Sequence, residues 1–124
     1  MRKFIYYFLS LVFFSVIVFI FARFHYNSYL EKAASAWKLG NITKAIAYYE
    51  KIPKFIYPVA GEFLFYIHIN PEYKVYNIQK AYSYIESYEC EDKKHFISWA
   101  LKNYSLSKND QEYLENKIFY CNIS

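Results

Sequence analysis

The decapeptide NITKAIAYYE, residues 41–50, recurs 36 residues later as NIQKAYSYIE, residues 77–86. Six of the ten positions are identical: the opening Asn-Ile, the Lys-Ala pair, the Tyr at the eighth position and the final Glu. Each copy begins with Asn, a residue that caps helices, and its apolar residues follow at helical spacing. Helical units that return at such an interval are typical of stacked helical hairpins. The two decapeptides therefore predict an all-α fold.

The overall composition also favours helices and excludes several classes of protein. The chain has 124 residues, of which only two are Gly and three are Pro. Two glycines cannot build the phosphate-binding loops of P-loop or Rossmann proteins, and a sandwich or barrel of many short strands needs more turn residues. Apolar residues make up 56% of the chain, which argues against disorder.

The net charge gives no sign of a nucleic-acid partner. The formal charge is +4, and Arg2 and Lys3 contribute two of these units. Beyond Ala22, 13 basic residues stand against 11 acidic ones. We expect this small excess to be evenly scattered, which is unlike a nucleic-acid footprint.

The first copy carries a resemblance to a known family. The string N-x-x-K-A-x-x-Y-Y-x-K, residues 41–51, resembles the second helix of a Sel1-like repeat, a close relative of the tetratricopeptide repeat. At three positions where this family usually has Gly, this chain has Phe65, Pro71 and Tyr73. The connecting loop must therefore differ. The resemblance implies a short α-solenoid that serves as a protein-interaction surface. The residues expected to pack its helices together are Ala45, Tyr48, Tyr49, Ala60, Leu64, Ala81 and Tyr84.

The pattern predicts a repeat domain over residues 25–124, with two to three helical hairpins. The repeats are expected at about 26–55 and 58–90, with a degenerate hairpin at 92–121. Helices are predicted at about 26–39, 42–52 and 58–69, then at 78–89, from Asp92 and from Ser107. The first helix can continue from the N-terminal segment, since no Gly or Pro lies between Phe4 and Leu39.

The N-terminal segment, residues 1–24, is predicted to be a single-pass transmembrane anchor. From Phe4 to Ala22 there are 19 residues without a charge, and a helix of this length nearly spans a hydrocarbon core of ~30 Å. A cleaved secretory signal and a buried helix are the alternatives. The apolar run is longer than a signal core, and Ile20 with Ala22 makes a poor cleavage site.

The basic residues on the two flanks suggest an orientation. Arg2 and Lys3 lie directly before the apolar run, whereas the basic residues after Arg23 are more widely spaced. Together with the short N-terminus, this favours an N-in topology. The C-terminal domain is then extracytoplasmic, in the periplasm or exterior of a bacterium.

The two cysteines, Cys90 and Cys121, can form one disulfide in such a compartment, or remain free buried thiols. Cys90 also lies near His95, which raises the alternatives of a zinc site and of a small Cys/His hydrolase. The spacing matches no standard zinc pattern, and no orienting third residue can be named. The sequence therefore predicts no metal, no cofactor and no enzymatic activity.

These features predict a membrane-anchored protein-protein interaction module, a scaffold or adaptor of the cell envelope. Trp37 and Trp99 are the candidate partner-binding residues, because aromatic side chains dominate interaction hot spots. An immunity- or inhibitor-type protein with one dedicated partner is the alternative. Two to three hairpins are few for an independent solenoid, so we expect a protein partner or a second copy of this chain.

Overall fold

The computed structural model describes residues 1–123, which contain helices and no strand. The predicted all-α class is confirmed. In chain order the helices are α1 Arg2–Lys38, α2 Ile42–Glu50, α3 Val59–Ile69, α4 Ile78–Ser83, α5 Cys90–Asn103 and α6 Lys108–Ile123. The chain divides into two compact units, Met1–Ala60 and Gly61–Ser124.

The first unit is built on α1, a single helix of 37 residues. The apolar N-terminal segment and the first helix predicted after it are therefore one continuous element, about 55 Å long at 1.5 Å per residue. At its end Gly40 takes a φ of +82°, the left-handed conformation that favours Gly. The N–H groups of Gly40 and Asn41 donate to the carbonyls of Trp37 and Ala36 at 3.0 and 2.8 Å. This Schellman arrangement terminates α1 and reverses the chain.

The reversal turns α2 back along α1 to form a helical hairpin. The Asn41 side chain accepts a hydrogen bond from the Lys44 N–H at 3.2 Å and caps α2. Ala33, Ala36 and Ala45 are buried in this unit, and their small side chains let the two helices approach closely. The chain that follows α2 thereby returns towards the middle of α1.

The second unit has a hydrophobic core drawn from all four of its helices. The buried core residues are Phe65, Ile69, Ile78, Ala81, Tyr82, Ile85, Ile97, Ala100, Leu106 and Leu114. α6 packs on α5, and the Ser107 hydroxyl accepts from the Asp110 N–H at 3.2 Å. The last helix therefore opens at Ser107, as predicted.

Three helix boundaries differ from the prediction, and the first is the end of α2, at Glu50 instead of Ile52. α4 ends at Ser83 instead of near Glu89, because the chain tightens into turns with i to i−3 bonds, such as Ile85 N–H to the Tyr82 carbonyl at 3.0 Å. These turns bury Ile85 completely, so core packing prevails over helix continuation. α5 begins at Cys90, two residues before the predicted Asp92.

Candidate functional site

Most of the exposed large hydrophobic side chains that the structure describes lie in the N-terminal half of α1. All of its side chains from Phe4 to Phe21 are exposed, apart from the partly exposed Ile17. Among residues 1–123, α1 alone is long and apolar enough to cross a membrane, by its length and composition. The C-terminal half of the same helix is packed, with Ala33 and Ala36 buried. One rigid element thus joins an exposed apolar segment to a folded hairpin.

The two decapeptide copies begin equivalent helices. Asn77 caps α4 as Asn41 caps α2, its side chain accepting from the Lys80 N–H at 3.0 Å. Ala45 and Ala81 are completely buried at matching positions. The shared sequence therefore has a shared local structure.

The aromatic residues of the two copies are not buried as we predicted. Tyr48 and Tyr84, expected to fill the core, are only partly buried. The next residue in each copy, Tyr49 or Ile85, is the fully buried one. Of the other residues assigned to helix packing, Ala60 and Leu64 are also buried.

The two tryptophans lie in different units. Trp37 is partly buried, with its ring at 6.3 Å from that of Tyr49 in an edge-to-face contact. Trp99 is 38% exposed, on α5. The structure thus makes Trp99 the more accessible of the two proposed contact residues.

Trp99 belongs to a group of four partly exposed aromatic side chains, which we name the Trp99 face: Tyr66, Phe96, Trp99 and Tyr104. The Trp99 ring lies 5.0 Å from Tyr66 and 5.6 Å from Tyr104, both edge-to-face. Phe96 lies 5.8 Å from Tyr66. Burial, reinforced by the nearby Glu62 carboxylate, raises the pKa of Tyr66. The face therefore combines apolar ring surface with neutral hydroxyl groups, a composition suited to protein recognition.

Two further tyrosines of the second unit donate hydrogen bonds to carboxylates. The Tyr76 hydroxyl donates to Asp110 Oδ2 at 2.6 Å, and the Tyr88 hydroxyl donates to Glu62 Oε1 at 3.4 Å. Burial, followed by the neighbouring carboxylate, raises the pKa of both residues, that of Tyr88 to about 12. Both hydroxyls therefore stay protonated near neutral pH and link separate elements.

The structure joins Cys90 and Cys121 in a disulfide, with their Cα atoms 5.7 Å apart. The bond ties the start of α5 to the last residues of α6. His95, the proposed companion of Cys90, is exposed on α5. No group of three or more His, Cys, Asp or Glu side chains within residues 1–123 is arranged to hold a metal ion.

The charges are less evenly distributed than expected. Between Arg23 and Ala60 there are six basic and two acidic side chains, whereas residues from Gly61 onward include seven basic and nine acidic ones. The expectation of an even scatter is therefore wrong. Three of the six bases are lysines beside the Tyr48 ring: Lys32, Lys44 and Lys51, each with its ammonium within 6.0 Å of the ring centre.

The segment after α2, residues 53–57, has contacts that the sequence pattern did not predict. The Tyr57 hydroxyl donates to the Arg23 carbonyl at 3.1 Å, across 34 residues of sequence. Phe55, two residues before it, is 76% exposed. The available signal was the sequence Lys54-Phe55, a basic residue beside an aromatic one, in a turn after Pro53.

Comparisons with protein-family models, with curated proteins and with solved structures found no match for this chain.

Proposed function

We propose that this chain is a membrane-anchored protein-interaction module. The observation that carries the proposal is the division of α1 into an exposed apolar half and a packed half within one unbroken helix. Exposure of this much apolar surface to water is strongly unfavourable, whereas the same surface is stable in lipid. α1 then holds the α1–α2 hairpin at a set distance from the bilayer.

The proposed repeat character rests on the matched copies. Both begin with an Asn that caps a helix, and both bury an Ala four residues later. These features support two hairpins of the Sel1 or tetratricopeptide type, with α5 and α6 as a degenerate third hairpin. Stacked hairpins of this kind act through their surfaces in the family that they resemble.

The Trp99 face is the proposed partner-binding surface. Trp99 is wide, rigid and partly exposed, and its neighbours Tyr66 and Tyr104 offer hydroxyl groups for hydrogen bonds. The disulfide at Cys90 favours this role over a Cys/His hydrolase, because a bonded sulfur cannot act as a thiolate nucleophile.

The anchor is tested by alkaline extraction of membranes from cells that make the full chain. We expect the protein to stay in the membrane pellet. Release into the supernatant would contradict the anchor. A shortened N-terminus in the recovered protein, read by mass spectrometry, would instead identify a cleaved signal.

The binding surface is tested by placing a photocrosslinking amino acid at position 66, beside Trp99, in the full chain within intact cells. We expect a crosslinked partner, and we expect Trp99→Ala to reduce its yield at least ~30-fold, corresponding to a hot-spot loss of ~2 kcal/mol. Phe119→Ala is the matched control, because Phe119 is exposed on α6 outside the Trp99 face. Equal yields from the two variants would refute the assignment.

The second candidate is an inhibitor of immunity type, favoured by the uneven charge. Its positive first unit and slightly negative second unit would suit one partner of complementary charge. The same crosslinking experiment separates the two candidates. One stoichiometric partner supports the inhibitor, whereas several envelope proteins support the scaffold.

A further inference from the structure

The segment of residues 53–57, Pro-Lys-Phe-Ile-Tyr, lies against α1 where the apolar surface of that helix ends. The Tyr57 hydroxyl donates to the Arg23 carbonyl at 3.1 Å, and the Arg23 guanidinium carbon lies 4.6 Å from the centre of the Tyr57 ring. Arg23 is the first charged residue after the uncharged run. These contacts fix the segment at the level of the proposed membrane boundary.

The segment also extends along the apolar part of α1. Phe55 and Ile56 line a groove of about 510 Å³ together with side chains of α1 between Phe14 and Tyr26. Phe14 lies ~12 Å before Ala22 along the helix axis. The groove therefore follows the part of α1 that would lie in hydrocarbon near the boundary.

The side chains of the segment match the layers of a bilayer at this depth. Ile56 is buried against the protein, whereas Phe55 is 76% exposed beside the groove. Lys54, the adjacent residue, is exposed as well. An exposed Phe next to a Lys is unfavourable in water but suits a membrane interface, where the ring reaches the acyl chains and the amine reaches the phosphates.

The surrounding charge is consistent with lipid headgroups. The Arg23 guanidinium lies over the Tyr57 ring, and Lys54 belongs to the segment itself. The Lys51 ammonium lies 5.9 Å from the Tyr29 ring of α1, and Glu50 is the acidic residue adjacent in sequence. Basic side chains near the membrane surface are attracted to anionic lipids. Both the apolar and the charged residues thus point to the same occupant, the bilayer.

We propose that residues 53–57 form a second membrane contact, in the leaflet where α1 leaves the bilayer. Phe55 enters the boundary of the acyl chains, lipid tails fill the groove between the segment and α1, and Lys54 lies among the phosphates. This inference rests on the proposed function, because it requires α1 to cross the membrane. Attachment at two points would fix the tilt of α1 and the height of the hairpin above the lipid.

The test uses full-length protein in vesicles of phosphatidylcholine and phosphatidylglycerol with brominated acyl chains, which quench nearby tryptophan. Three single-tryptophan proteins are made in a background with Trp37→Phe and Trp99→Phe. The probe is Phe55→Trp, the positive control is Phe14→Trp, and the negative control is Leu39→Trp. Leu39 is 83% exposed and lies roughly 25 Å beyond Ala22 along the helix direction.

We expect the tryptophan at position 55 to lose most of its emission and to shift to shorter wavelength, as does the one at position 14. The tryptophan at position 39 should lose little. Quenching at position 14 but not at position 55 would overturn the second contact and leave the anchor intact. An absence of quenching at position 14 would refute the anchor itself.

A second measurement keeps both native tryptophans. A photocrosslinking phenylalanine analogue is placed at position 55 of the full chain in the same vesicles without bromine, and the products are weighed by mass spectrometry. An adduct with the mass of one lipid supports the contact. Adducts to protein alone, or none, would overturn it. Circular dichroism on each protein checks that its helices have formed.

Discussion

At the scale of single residues, the polar contacts inside the second unit depend strongly on tyrosine. Tyr76 and Tyr88 keep their rings among apolar neighbours and direct their hydroxyls to Asp110 and Glu62. Such a hydroxyl satisfies a carboxylate without placing a second charge in the interior. The contacts therefore give stability that depends on the hydroxyl proton.

The first prediction concerns alkaline pH. The pKa of Tyr88 is raised to about 12, whereas an unfolded tyrosine titrates near 10. The unfolded chain therefore releases the proton first as pH rises. We expect the free energy of unfolding to hold steady below pH ~10 and to fall between pH ~10 and ~12, measured by denaturation of the full chain in detergent micelles.

Tyr88→Phe should make this alkaline decline shallower, because one of the protons that drive it is absent. Tyr120→Phe is the control, since Tyr120 is exposed on α6, and it should leave the decline as it is in the unchanged protein. Identical curves for Tyr88→Phe and the unchanged protein would show that the Tyr88 contact contributes nothing to stability.

Features that depend on neighbouring residues, such as helix caps, could be predicted from the sequence, whereas contacts between distant residues could not. Asn41 and Asn77 are predictable as caps, and Ser107 as a helix start, because a capping side chain bonds to a residue three positions away. The contact of Tyr57 with Arg23 spans 34 residues, and no local pattern encodes it. The same reason explains Tyr48, whose partial burial is decided by how the hairpin packs.

At the scale of secondary-structure elements, α2 and α4 are the informative pair. Their first turns are equivalent, but α2 has nine residues and α4 has six. The helix starts were predictable because capping is local. The early end of α4 was not, because it follows from the burial of Ile85 in the core.

The second prediction compares the two caps. Asn41→Ala and Asn77→Ala each remove a side-chain acceptor from the first turn of a helix, so each should lower the free energy of unfolding by about 1 kcal/mol. Asn116→Ala, an exposed change within α6, is the matched control and should have no destabilising effect. A loss at only one of the two caps would contradict their structural equivalence.

The third prediction concerns the α5–α6 hairpin. The Cys90–Cys121 disulfide closes a loop over a sequence separation of 31 residues. In the chain-entropy account, a loop of this length stabilises the fold by about 3–4 kcal/mol. Replacing both cysteines by Ser should lower the free energy of unfolding by that amount, and adding reductant to the double variant should change nothing further. If reductant lowers the free energy of unfolding of the double variant as well, its destabilising effect does not come from the Cys90–Cys121 disulfide.

At the scale of the whole molecule, the basic residues and the disulfide bear on the same question of orientation. The positive-inside rule weighs Arg2 and Lys3 against the bases after Arg23, and the structure adds Lys51 and Lys54 to the downstream side, because residues 53–57 return to α1. Charge alone therefore favours N-in less strongly than the sequence spacing of the basic residues suggests. The disulfide favours the N-in topology, because it persists in an oxidising compartment and would place the C-terminal domain outside the cytoplasm.

The fourth prediction follows from giving the disulfide the greater weight: the N-terminus lies in the cytoplasm and the C-terminal domain lies outside. In a bacterial host, alkaline phosphatase fused after Ser124 should be active and a green fluorescent protein fused there should be dark, because each reporter matures on one side of the membrane only. Replacing Arg2 and Lys3 by Gln should shift part of the population to the opposite pattern, whereas replacing Lys93 and Lys94, which lie far along the chain in α5, should not. Fluorescent and phosphatase-inactive fusions of the unchanged protein would contradict the N-in topology. The Cys90–Cys121 bond would then have to form in a reducing cytoplasm.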